Sequence, residues 1–259
     1  MSSELIVLKF GGSVLRDELH VRAVAEEVAS FVRRGSRVVA VVSALQGTTD
    51  ALLARAEAFS SSPDPFATAQ LLATGELASA ALLGLALDSI GVRPETLDAA
   101  SAGFRTEGEP LDASPVAVDL PGVVDALKRA PAVVVPGFVG RDERGRTTVL
   151  GRGGSDLTAL FLAQRLGASC RLVKDVDGLY EWDPSLPGER PRRFATLPWD
   201  EALALDGTIV QHKAVRWARQ HELAFEVGSL GATEVSRVGA FEVSFGTEDD
   251  VCSEPIHAA

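Results

Sequence analysis

Four apolar runs do most to limit what this chain can fold into. They lie within Glu4–Phe10, Arg37–Ser43, Ala132–Val135 and Cys170–Val173, and are built mainly from Val, Leu and Ile. Short runs that are apolar throughout, rather than alternating, suit strands buried on both faces of a parallel sheet. Helical stretches stand between them, over about 16–34, 67–90, 122–130 and 157–166, with an exposed loop expected at Ser60–Pro65. Strands alternating with helices predict an α/β protein, a three-layer α/β/α sandwich around a mostly parallel central sheet. The other expected elements are short strands and loops over 99–121, a charged hairpin tip at Arg141–Arg146, and helices over 200–206 and 208–221. Strands are expected over 223–227 and 240–245, with a polar tail from Glu248.

The 259 residues allow one large α/β domain of two lobes sharing a sheet, about 1–165 and about 166–247. Hydrophobic residues make up 46% and aromatic ones only 6%, so the core must rest on Ala, Val and Leu. The formal net charge of −11 argues against a nucleic-acid partner, and any anion must be held by a local group of cations. Cys170 and Cys252 match no metal spacing, no metal-ligand cluster is expected, and both read as inert thiols of a reducing compartment. The N-terminus runs straight into a strand pattern, and no apolar run is expected to reach membrane-spanning length. These features predict a cytoplasmic protein without a membrane partner.

Glycine or polar loops close at least five strand ends, at 9–13, 43–50, 136–140, 151–156 and 174–180. In a parallel sheet such ends gather along one edge, where open α/β sheets bind ligands. Lys9-Phe10-Gly11-Gly12-Ser13 sets a lysine where strand meets glycine turn, within reach of phosphate oxygens that glycine N–H groups also touch. Gly151-Arg152-Gly153-Gly154-Ser155-Asp156 combines three glycines, a cation, a hydroxyl and a carboxylate just before a helix. Backbone N–H groups and the helix dipole favour an anion there, and the planar fork of Arg152 suits a carboxylate or phosphate. The two loops suggest a phosphate donor beside a small acid. Walker A spacing, G-x-G-x-x-G, G-x-S-x-G and zinc-site patterns are missing, which disfavours P-loop, dinucleotide, serine-hydrolase and zinc chemistry. Glu76, in Thr74-Gly75-Glu76, reads by itself as a glutamate near a helix N-terminus, favoured there by the dipole.

Taken in order, Lys9–Ser13, Val42-Ser43-Ala44, Thr74-Gly75-Glu76, Pro136-Gly137-Phe138, Gly151–Asp156, Asp175-Val176-Asp177-Gly178-Leu179-Tyr180 and Asp183-Pro184 are similar to the motifs of aspartate kinases. The chain resembles the catalytic domain of that family along nearly its full length, within the wider amino acid kinase superfamily. The resemblance implies the amino acid kinase fold and ATP-dependent phosphorylation of the side-chain carboxylate of L-aspartate to 4-phospho-L-aspartate, with Mg²⁺. Lys9 and Asp156 would be catalytic: Lys9 bridges the ATP phosphates over Gly11, Gly12 and Ser13, and Asp156 orients it. No strong base is needed, because the acceptor carboxylate is already ionised. Arg152 would grip a carboxylate of aspartate, Glu76 its ammonium, and Ser43, Thr49, Gly153 and Ser155 would complete the acid site. Lys174, Asp175, Tyr180, Asp183 and Lys213 fall where the nucleotide is held, and a homodimer is implied.

The chain departs from the family pattern in places. Gly12 is followed directly by Ser13 and Val14, where Gly-Thr-Ser is usual. Ile209 stands at the position of a nucleotide-contacting lysine and Lys213 at that of a proline, so Lys213 is the candidate substitute. Lys174 replaces a common threonine and Ser185 a common arginine. The resemblance ends with the chain, so no ACT regulatory domain and no feedback inhibition by lysine or threonine through this chain are expected. The alternatives are a kinase of another carboxylate, or a non-catalytic homologue that binds a nucleotide or amino acid beside an active partner. Among isolated residues, His20, His221 and His257 read as surface groups and His212 as a helix-packing one. Trp182 is a candidate shield for adenine, and Trp199 and Trp217 read as core or interface.

Overall fold

The computed structural model describes residues 4–246. The tail from Glu248, with Cys252 and His257, lies outside the described residues. The first half comprises β1 (Leu5–Phe10), α1 (Glu18–Arg33), β2 (Arg37–Val42), α2 (Thr48–Phe59), α3 (Pro65–Ser89), β3 (Pro94–Thr96), β4 (Arg105–Glu109), β5 (Asp112–Ala117) and α4 (Leu120–Arg129). It continues through β6 (Ala132–Pro136), β7 (Val139–Arg141), β8 (Thr147–Val149) and α5 (Gly154–Leu166). The second half holds β9 (Ser169–Val173), β10 (Phe194–Pro198), α6 (Trp199–Ala204), α7 (His212–Gln220), β11 (Phe225–Gly228), β12 (Ser236–Gly239) and β13 (Ser244–Phe245).

The four apolar runs become β1, β2, β6 and β9, which lie side by side at the heart of a nine-stranded sheet. Its order is β13-β10-β12-β11-β9-β1-β2-β6-β3. Pairings from β11 through β3 are parallel, and within this sheet β11 meets β12 and β10 meets β13 in antiparallel fashion. A second sheet, β5-β4-β7-β8, stands apart from it.

Side chains alternate along a strand, so each central strand feeds two cores. Ile6, Leu8 and Phe10 join Val38, Ala40 and Val42 under α1 and α3. Val7, Val39, Val41 and Val133 join Leu160 and Leu162 of α5 and Val215 of α7 on the opposite face. Helices thus cover both faces, which gives the expected three layers. The same alternation decides where the lysines go. Lys9 follows the parity of Val7, and Lys174 follows that of Cys170 and Leu172, which sit in the α5 core. Since Lys9 is in register with Leu172, both lysines rise towards α5 from neighbouring strand ends.

Several expectations are corrected. α3 is one 25-residue helix, started by Pro65 and by the Asp64 carboxylate, which accepts the Ala67 N–H at 2.7 Å. Glu76 is therefore buried in mid-helix, not placed near an N-terminus. By length and composition α3 could cross a membrane, with a mean hydropathy of 1.5, although no such run was expected; half of that window is buried inside the protein. α5 begins at Gly154, three residues early. α7 begins only at His212, because Asp206 accepts from both the N–H and the hydroxyl of Thr208 at 2.9 and 2.6 Å and holds 206–211 as a loop. The strand expected over 240–245 shrinks to β13, and β12, just before it, was not expected.

Candidate active site

Three charged groups meet where β1 and β9 end beneath the first turn of α5. Lys9 Nζ lies 2.7 Å from Asp156 Oδ1, and Lys174 Nζ lies 2.9 Å from Oδ2 and 3.1 Å from Oδ1. All three side chains are buried. Burial pushes Lys9 down to about 8; Asp156 pulls it back up and Lys174 pushes it further down. For Asp156 burial alone would raise the pKa, but the two lysines outweigh it and hold the carboxyl down at about 2. The result is one carboxylate between two ammonium groups, a local excess of positive charge in a protein of net charge −11.

Glycines let the surrounding loops close on this cluster. The Lys9 ammonium lies over Gly11, where an added Cβ would stand 2.8 Å from Nζ. Gly153, at φ 74°, caps α5 without a side-chain hydrogen bond and presses against Gln211, which an added Cβ would meet at 2.5 Å. The N-terminus of α5 is thus left to backbone N–H groups, as an anion site requires. Phe138 follows β6 in a left-handed conformation, φ 68°. Its N–H donates to Thr158 Oγ1 at 3.0 Å and its carbonyl accepts from the Leu150 N–H at 2.8 Å, clamping the start of α5 to the strand end.

Three cavities adjoin here. The first, of about 410 Å³, is walled by the lysine cluster and by Gly11, Gly12, Ser13, Ser43, Gly153, Ser155 and Asp175. The second, of about 570 Å³, is more apolar and takes Tyr180, Asp183 and the half-exposed Trp182, with Leu205 and Val210. The third, of about 690 Å³, is an open groove with Arg152, Lys213 and Arg216. Residues of the 206–211 loop wall all three, and Thr208 is common to them. Thr208 and Gln211 are wall residues that sequence reasoning missed: they were expected in a helix, although the resemblance drew attention to Ile209 and Lys213 beside them.

The predicted site residues are not all together. Arg152 is exposed and lines the groove, not the lysine cavity. Thr49 sits in the first turn of α2 and lines none of the three. Asp183 turns onto its own loop, accepting from the N–H and hydroxyl of Ser185 at 2.8 and 2.7 Å. The Tyr180 hydroxyl donates to Asp177 at 2.8 Å. Lys213 does not reach the lysine cavity. Its ammonium is held by Asp112 at 2.5 Å and by the carbonyls of Leu150 and Ala113 at 2.7 and 3.3 Å. His212 Nε2 bonds the Leu205 carbonyl at 2.8 Å, a packing contact within the loop.

Glu76 lies behind the cavity wall. Its Oε1 accepts from the N–H of Ala44, next to Ser43, at 3.3 Å, while Oε2 is buried without a partner among the described residues. Burial pushes this carboxyl up to about 7, against a smaller downward pull from the Ala44 N–H. An orphaned buried carboxylate oxygen beside a cavity is an incomplete site that a cation would satisfy. No group of three or more potential metal ligands occurs among the described residues, and both oxygens of Asp156 already face lysines.

A covered parallel sheet with two buried lysines and open glycine turns at one edge defines an α/β protein with a positively charged cavity at that edge. The chain belongs to the amino acid kinase family, whose profile matches residues 4–225. It is similar to the aspartokinase of Helicobacter pylori, 39% identical over 202 residues, which covers 78% of this chain and 50% of the relative. Among solved structures it is similar to aspartate kinase from Synechocystis, with TM-score 0.78 and 33% identity over 93% of this chain and 40% of that one. Escherichia coli aspartokinase III in complex with lysine and aspartate aligns with TM-score 0.79 and 25% identity, over 95% of this chain and 66% of that one. The chain spans about half the length of the curated relatives it matches.

Proposed function

We propose that this chain is an aspartate kinase, which transfers the γ-phosphoryl group of ATP to the side-chain carboxylate of L-aspartate and yields 4-phospho-L-aspartate and ADP. The observation that carries the reading is the buried Lys9–Asp156–Lys174 cluster under the open N-terminus of α5. Phosphoryl transfer between two anions needs positive charge and alignment more than it needs a base. Lys9 supplies charge over the Gly11-Gly12 turn, and Asp156 holds its ammonium in place. In this reading the phosphates occupy the lysine cavity, and the base occupies the apolar cavity beside Trp182, which meets the first at Thr208 and Ile209. The orphan oxygen of Glu76 takes the aspartate ammonium, Ser43 and Ser155 wall the acid, and Arg152 reaches its carboxylate from the rim. Mg²⁺ arrives as the complex of the nucleotide and screens its phosphate charge.

We place this enzyme in the cytoplasm, where ATP and free amino acids are both at hand. The outer face of α3 supports a homodimer: Leu77, Ala78, Ala81 and Leu85 are exposed, and that stretch of the face carries no charge. Leucines flanking small residues can pack on their own two-fold copy.

Trapping with hydroxylamine tests the activity. Protein, ATP, Mg²⁺ and L-aspartate should give aspartyl hydroxamate, and Lys9→Met should abolish it. Hydroxamate from a different amino acid, with none from aspartate, would reassign the substrate.

A further inference from the structure

The geometry points to Lys174 as a second phosphate-contacting residue, placed over the terminal phosphates of the nucleotide and sharing Asp156 with Lys9 as a common internal counter-ion. This deepens the reading above and rests on it.

Among the described residues, Lys9 and Lys174 are the only cations that line the lysine cavity. Lys213 is held by Asp112 and two carbonyls, Arg152 faces the open groove, and position 209 is an isoleucine in the cavity wall. The charged side chains that can meet the phosphates from inside this cavity are these two.

Strand register makes the placement rigid. Lys174 leaves the end of β9 on the face that carries Lys9, and its backbone N–H donates to the Gly228 carbonyl at 2.8 Å. Its ammonium spends both of its side-chain contacts on one carboxylate, although an ammonium has three donors. Two buried cations share one buried anion; among the described residues the only other acid in the cavity wall, Asp175, is exposed. Buried charge without a full counter-charge is costly. A phosphate chain supplies the missing negative charge and takes the spare donors. Asp156 then serves the empty site by keeping the two like charges side by side, and the bound site by keeping both aimed. The downward push of Lys174 on Lys9 reflects the same proximity.

Calorimetric titration of the full chain with ATP, ADP and AMP in the presence of Mg²⁺ tests this. Lys174→Met should weaken ATP and ADP about ten- to a hundredfold, the range of one charge-assisted contact, and leave AMP within about twofold. Lys174→Gln keeps a donor for Asp156 without the charge and should behave alike if the methionine variant fails to fold. The alkaline limb of the kcat profile should also move upward in either variant, because Lys9, left with Asp156, the buried Cys170 thiol and the exposed Asp175 of the cavity wall, loses its cationic neighbour. Equal weakening of all three nucleotides, or an unchanged ATP-to-AMP ratio, would overturn the proposal and leave Lys174 a structural partner of Asp156. Wild-type protein that binds no adenine nucleotide would overturn the kinase reading itself, and this proposal with it.

Discussion

Glu76 is a single residue whose function and stability pull in opposite directions. Its folded pKa, raised to about 7 from an ordinary 4.5, means that the folded state holds the proton more tightly than the unfolded one. Stability therefore falls as pH rises from about 4.5 to about 7 and stays lower above that window. Glu76→Gln removes the cost, and its melting temperature at pH 8 should exceed that of wild type, with a gain on the order of 2–3 kcal/mol. The same variant should lose affinity for an amino acid whose ammonium the carboxylate pairs with. For wild type that affinity should rise with pH through about 7, as calorimetry would show. A variant neither stabilised nor impaired would mean that Glu76 is already neutral and unused. The family resemblance implied the pairing with an ammonium, but the burial behind it was not legible in the sequence, where Thr74-Gly75-Glu76 by itself resembled a helix start. The helix in fact runs through Gly75, whose missing side chain admits Ala44 and Thr48; an added Cβ would meet them at 3.0 and 3.2 Å.

Among the elements, the central strands were the easiest to read and the loop before α7 the hardest. Unbroken apolar runs can hardly be anything but doubly covered strands, and parity then carries Lys9 and Lys174 to one face. β3 and β10 escaped notice because three to five residues carry too little periodicity. Lys213 illustrates the limit. Its position in the chain suggested a nucleotide contact, yet α7 starts late, and its first turn presents Lys213 to Asp112 and to the Leu150 carbonyl just before the glycine loop. Its role here is to tie α7 to that loop. Lys213→Met should lower stability by about 1 kcal/mol, the net worth of a partly exposed hydrogen-bonded cation, and leave ATP affinity nearly unchanged. A large loss of ATP affinity at unchanged melting temperature would restore the nucleotide role.

At the scale of the whole molecule, the long apolar helix α3 joins the site to the surface. Its inner face carries Glu76, and its outer face exposes Leu77 and Leu85, at 41% and 70%. If that outer face meets a second copy, the double substitution Leu77→Arg, Leu85→Arg should convert a dimer to a monomer in light scattering while melting changes little, since neither side chain belongs to the core. An unchanged mass would move the interface elsewhere. The overall architecture was legible because it follows from strand patterning. The division of the edge into three adjoining cavities was not, because it depends on one six-residue loop whose neighbours are set only in the folded chain.

The three tryptophans are distributed unevenly. Trp199 donates its ring N–H to the Leu223 carbonyl, and Trp217 stacks on His221 with ring centroids 3.9 Å apart, both away from the cavities. Trp182 alone stands at the mouth of the apolar cavity, 44% exposed. Indole fluorescence depends on contact with water, so light emitted by this one ring changes when the cavity fills while the other two give a steady background. A titration with ATP should therefore shift the emission of Trp182, and binding could be followed in real time without a label.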